Sequence, residues 1–155
     1  MPSRVLGPLH ADLDGYASRP LAEESLVLAT APEGLVQTAT RGPIRTLAAV
    51  RDEPFICLPR GSGLHAILVA AAAEHGFAPR IEFEAGTPAS VRELVSAGLG
   101  VALLADSAAR IPGPAIDVHR LDDAPPHPPI GRILPPDRAV PPAVQAFLVQ
   151  LAAHR

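Results

Sequence analysis

Residues 58 to 66, LPRGSGLHA, place Gly61, Gly63 and Ala66 at the spacing G-x-G-x-x-A between an apolar run and a helix-like stretch. Glycines so spaced let a backbone approach a pyrophosphate, and Glu82 and Glu84 follow roughly twenty residues on, where an acid would hold a ribose. Pro59 and Arg60 count against a dinucleotide turn, because they separate the apolar run from the first glycine. A second reading is a sharp strand-to-helix turn with nothing bound. A third is a site for a small anion such as a carboxylate, formed by the free N–H groups of a helix start, the Ser62 hydroxyl and the Arg60 guanidinium. Thr87, before the next helix, adds a second set of donors at the carboxyl end of a neighbouring strand.

No catalytic constellation stands out. Ser62 lacks a G-x-S-x-G setting because residue 60 is arginine. The histidines at 10, 65, 75, 119, 127 and 154 never fall at the i, i+3 or i, i+4 spacings that put two ligands on one helix face, so a metal site is not expected. No cofactor is expected either. The single cysteine, Cys57, lies inside PFICL and reads as an inert, buried thiol, with no internal disulfide possible. Asp122 and Asp123 read as a solvated turn.

The elements that must carry these residues follow from pattern. With 155 residues, 48% of them apolar, the chain can bury a core as one domain with appendages. A formal charge of -3 leaves no electrostatic footprint for nucleic acid or a membrane surface. The longest nearly unbroken apolar stretch, Leu64 to Ala73, is too short to cross a bilayer. Pro2, Gly7, Pro8, Asp12 and Asp14 interrupt the start where a secretory signal would be continuous, so a cytoplasmic location is expected.

SLVLAT (Ser25 to Thr30) and PFICL read as strands, with a short helical turn at TLAAV (Thr46 to Val50) between them. Ser62 or Gly63 caps a helix from near Leu64, Gly76 suits a left-handed C-terminal residue and Pro79 prevents continuation. IEF (Ile81 to Phe83) is a strand. Thr87-Pro88 opens a helix with the stripe Val91, Leu94 and Val95, which Gly98 closes, and LGVALLA (Leu99 to Ala105) is a buried strand. The order strand, helix, strand, helix, strand with short connections marks an α/β sheet covered by helices. Beyond it come a short helix DSAAR, a strand IDVHRL (Ile116 to Leu121), a proline-dense linker (Pro125 to Pro129), a strand GRIL (Gly131 to Leu134) and a helix opened by Pro141-Pro142, with Val144, Phe147, Leu148 and Leu151 on one face.

The run from Asp52 to Ser107, above all ELVSAGLGVALLADS, resembles the second lobe of the effector-binding domain of LysR-type transcriptional regulators. RPLAEESLVLATAP resembles that family's strand crossing between lobes, and VHRL with PPIGRILPPDRAVPPAVQAFLVQL its return strand and last helix. The resemblance covers about Arg19 to Leu151 and implies a three-layer, parallel or mixed sheet of the periplasmic-binding-protein type II kind. It implies residues 1–29 as a remnant of lobe one with the crossing strand, 30–129 as lobe two, and 130–155 as return strand and final helix. The family's effector contacts fall on Pro59, Arg60, Gly61, Ser62 and Gly63, and on Gly86, Thr87 and Pro88. Many relatives carry a hydroxyl at both positions matching Gly86 and Thr87, and proline at the position of Ala105.

These likenesses point to a truncated relative that lacks much of lobe one and the winged helix-turn-helix through which the family holds DNA. The expected function is a cytoplasmic sensor module for a small, anionic effector in transcription regulation, and not an enzyme. The alternatives are a nucleotide-binding enzyme using the GSGLHA turn and an oligomerisation module without a ligand. Leu64 to Ala73 is apolar nearly all round, with Leu64, Ile67, Leu68 and Ala71 on one side and Ala66, Val69, Ala70 and Ala73 on another. One side would pack on the sheet and the other meet a second subunit. The expected homodimer interface is placed on Leu64, Ile67, Leu68 and Ala71.

Overall fold

The structure, a computed structural model, describes residues 6–9, 17–32, 43–134 and 142–153. It divides into two compact units, one of Glu24–His127 and one of Met1–Glu23 with Pro128–Arg155.

The larger unit holds β3 (Leu26–Thr30), β4 (Pro54–Cys57), α1 (Gly63–Glu74), β5 (Arg80–Glu84), α2 (Pro88–Ser96), β6 (Ala102–Ala105), α3 (Asp106–Arg110) and β7 (Asp117–His119). A 3-10 turn spans Leu47–Val50, where a short helical turn is expected. Strands β4 and β5 pair in parallel. A parallel bridge between Phe55 and Val101, just ahead of β6, joins β6 to the other side of β4. Strand β3 runs antiparallel to both β6 and β7. The spatial order is therefore β5, β4, β6, β3, β7, with only β3 reversed.

Side chains alternate across this sheet and divide the core in two. Leu26, Leu28, Phe55, Cys57, Val101 and Leu103 form one buried cluster with Leu68 and Ala71 of α1. Ala29, Ile56, Ala102 and Leu104 form the other with Val91 and Val95 of α2. The two helices thus cover opposite faces. Chain order explains it: α1 carries the chain outward from β4 to β5, and α2 carries it back past β4 to β6, and crossovers of one hand running in opposite directions must lie on opposite faces. Gly100 is needed where the chain re-enters the sheet, since a Cβ there would collide with the Pro54 carbonyl oxygen.

The smaller unit is a three-stranded antiparallel sheet, with β8 (Ile130–Leu134) between β1 (Leu6–Pro8) and β2 (Ala17–Ala22), and helix α4 (Pro142–Ala153). On the expected apolar face of α4, Val144 is half-buried and Phe147 is 46% exposed. The side chains of Leu148 and Leu151 lie outside the described residues, as do Pro141, His10 and His154.

Candidate functional site

Two short connections leave neighbouring parallel strands at the same edge of the sheet. Cys57 is in register with Glu84 at the ends of β4 and β5, and the Ala85 N–H donates to the Cys57 carbonyl at 3.0 Å. The connection from β4 then turns to α1 on one face, and that from β5 to α2 on the other. Adjacent loops that diverge to opposite faces leave a crevice outside the carboxyl ends of the strands, the place where open α/β sheets bind ligands.

Each loop ends in a hydroxyl cap. Ser62, in extended backbone, accepts the His65 N–H at 3.1 Å, and Thr87 accepts the Ser90 N–H at 3.1 Å, with the Ser90 hydroxyl 3.0 Å from its own oxygen. Each cap satisfies one of the donors that a helix start leaves unpaired and leaves others facing outward. Pro88 at the first position of α2 removes one donor at no cost to the helix. Within the first loop the Ser62 N–H closes a turn on the Pro59 carbonyl at 2.8 Å.

Of the residues expected to contact an effector, Pro59, Arg60, Gly61, Gly63, Gly86, Thr87 and Pro88 are exposed and Ser62 is half-buried. Arg60 makes no hydrogen bond or ion pair among the described residues, so its five donors are available. Gly61 and Gly86 are informative because neither adopts positive φ; among the described glycines only Gly76 and Gly98 do, at 73° and 79°. A Cβ at Gly61 or Gly86 would meet nothing within 4 Å. The turn itself therefore does not require either glycine, and the space before their backbone is open.

His65 is a contributor that pattern reading passed over. Its Nδ1 lies 3.2 Å from the Leu58 carbonyl. A carbonyl can only accept, so Nδ1 carries the proton and the ring braces the start of the loop. The signal in sequence was its place three residues after a capping serine. The imidazole is committed to Leu58 and only the backbone of His65 reaches the Ser62 oxygen, so the two do not form a hydroxyl-imidazole pair.

Cys57 is buried, and its thiol pKa is raised, first by desolvation and further by the nearby charge of Glu84. The neutral thiol dominates at physiological pH, and reactivity requires the thiolate. No group of three metal-binding side chains occurs among the described residues, and no described helix is long and apolar enough to cross a membrane.

One expectation needs correction. Leu68 and Ala71, expected at a subunit interface, are 1% and 4% exposed and belong to the chain's own core, with Leu64 and Ile67 packed against the same cluster. Their side of α1 faces the sheet; Ala66, Val69, Ala70 and Ala73 are the exposed side. Asp122 and Asp123 form a turn with Asp122 exposed, as expected, and the turn is also tied to the rest of its unit. Asp122 holds Arg45 through two hydrogen bonds of 2.9 and 3.1 Å, and Asp123 accepts the Leu47 N–H at 3.2 Å and pairs with His75 at 3.0 Å.

An open α/β sheet with helices on both faces is the fold of the periplasmic-binding-protein type II class to which the similar solved domains belong. The LysR substrate binding domain family matches residues 5–155, and the chain belongs to that family. The HTH-type transcriptional regulator XapR of Escherichia coli (strain K12) is 30% identical over 102 residues, 66% of this chain. The chain spans about a third of that relative's length, 34%. Among solved structures, the Synechocystis PCC6803 CcmR regulatory domain in complex with 2-PG matches with a TM-score of 0.80 at 18% identity, over 96% of this chain and 71% of that one. The effector-binding domain of QuiR in complex with shikimate matches with a TM-score of 0.77, also at 18% identity, over 96% and 69%.

Proposed function

We propose that this chain is the effector-sensing part of a LysR-type transcriptional regulator, and that a small organic anion binds at the loops Leu58–Gly63 and Ala85–Pro88. The observation that carries this reading is the adjacency of two capped, exposed loops that diverge to opposite sheet faces. Arg60 supplies the charge, Ser62 and Thr87 the hydroxyls, and Gly61 and Gly86 the room for close approach to the backbone. The neighbours holding 2-PG and the organic acid shikimate support an effector of this size. In this reading Glu24–His127 is lobe two, the smaller unit contributes to lobe one, and DNA is held by a helix-turn-helix outside this chain. The protein acts in the cytoplasm by differential affinity for alternative states, without catalysis. Pairing of two copies uses the exposed alanine side of α1.

The test is a thermal-shift and calorimetric screen with small organic acids, shikimate among them. An acid that binds should lose roughly tenfold or more in affinity in Arg60→Ala, the loss of about 1.5 kcal/mol or more expected for a charge-assisted hydrogen bond. Thr87→Ala should weaken it less. Saturable binding that neither substitution changes would remove the assignment. The dinucleotide alternative predicts binding of a reduced nicotinamide in a fluorescence titration, which the present reading does not.

A further inference from the structure

We propose that a cavity beside the end of β7 is a second ligand site, for a small oxyanion of two or more charges, separate from the loops assigned above. The cavity has a volume of about 490 Å³, and Arg45, Asp106, Arg110, Val118, His119 and Arg120 help to line it. Three guanidiniums meet there in a chain of formal charge -3 whose thirteen cationic side chains are all arginine.

Among the described residues, two carboxylates serve these three guanidiniums. The Asp106 carboxylate accepts from Arg110 Nε at 2.9 Å, and the same oxygen lies 4.0 Å from Arg120 Nη2, so one carboxylate serves two guanidiniums. Arg45 donates through Nε and Nη2 to Asp122. His119 Nε2 is occupied by the Thr30 hydroxyl at 3.0 Å. Each guanidinium carries five donors, and among the described residues the carboxylates of Asp106 and Asp122 leave most of those donors to a ligand. The arginine side chains are 64–74% exposed, so a ligand reaches them without rearrangement. Exposed ion pairs contribute little to stability, which gives folding small reason to gather three arginines at one hollow. A phosphate ester and a di- or tricarboxylate share the matching chemistry, several anionic oxygens that accept from planar guanidinium forks.

The 155-residue chain is titrated calorimetrically with inorganic phosphate and, separately, with citrate, each against sodium chloride of equal ionic strength. At least one should bind saturably, phosphate pointing to an ester and citrate to a polycarboxylate. Arg120→Ala should weaken that binding about tenfold or more and Arg120→Lys less, because lysine keeps the charge and loses the fork. Arg60→Ala should leave it unchanged, which separates this site from the effector loops, and circular dichroism confirms that the variants fold. Heats equal to chloride for both anions, binding untouched by Arg120→Ala, or binding abolished by Arg60→Ala would each overturn the proposal.

Discussion

The turn from β4 into α1 and the turn from β5 into α2 share one local chemistry: a hydroxyl residue in extended backbone, Ser62 or Thr87, accepts the N–H three residues on. The helices that follow differ. Helix α1 is apolar all round and is held by its buried side, Leu68, Ala71 and Ala72. Helix α2 buries only Val91 and Val95 and is tied by polar contacts as well, since Arg92 donates to the carbonyls of Ala109, Ile111 and Pro114 at 2.7–2.8 Å. The polar side-chain ties of α1 lie at its two ends, His65 to the Leu58 carbonyl and Arg51 to the His75 carbonyl, whereas Arg92 clamps α2 from its middle to three carbonyls. Similar caps do not imply similar anchorage.

Four experiments sharpen that contrast. Leu68→Ala should cost roughly 2–5 kcal/mol in urea denaturation, because it leaves a cavity under α1, whereas Val69→Ala on the exposed side should cost within about 0.5 kcal/mol. Equal losses would mean that both sides of α1 are packed within one chain. Arg92→Ala should cost about 1–3 kcal/mol, since three carbonyls lose their donor. A stability equal to the parent's would show that α2 stands on Val91 and Val95 alone.

Cap removal comes next. Ser62→Ala and Thr87→Ala should each lower stability by about 1 kcal/mol. Amide exchange should localise the loss to the first turn of the helix concerned. The smallest expected effect on folding is the most informative for function. Gly61→Ala and Gly86→Ala should leave stability unchanged or raise it by up to about 1 kcal/mol, because the backbone is ordinary and the space open. If a ligand approaches that backbone, the same substitutions should weaken its binding. A loss of stability at either position would instead make that glycine a requirement of the turn.

Much of the larger unit was legible from its residues. The caps Ser62 and Thr87, the helix-closing Gly76 and Gly98, and the strands around Leu28, Ile56 and Leu103 all come from short-range signals: hydroxyls before apolar stripes, left-handed glycines and runs of branched side chains. The site loops were placed on the same grounds and by resemblance. The side of α1 that faces the sheet was not legible, because a helix apolar all round carries no periodicity from which to choose. The roles of Arg92, Asp123 and Arg45 were equally hidden, since their partners lie 17 to 77 residues away in the chain.

The sequence by itself determined where helices begin and end, that the middle of the chain is α/β, and which residues occupy the two loops, because those are matters of neighbours a few positions apart. Only the tertiary structure decided that the loops adjoin at one edge while their helices cover opposite faces, and that three distant arginines share a hollow. The reason is strand order: the spatial sequence β5, β4, β6 is set by which apolar faces bury each other across the sheet, and no local pattern contains it.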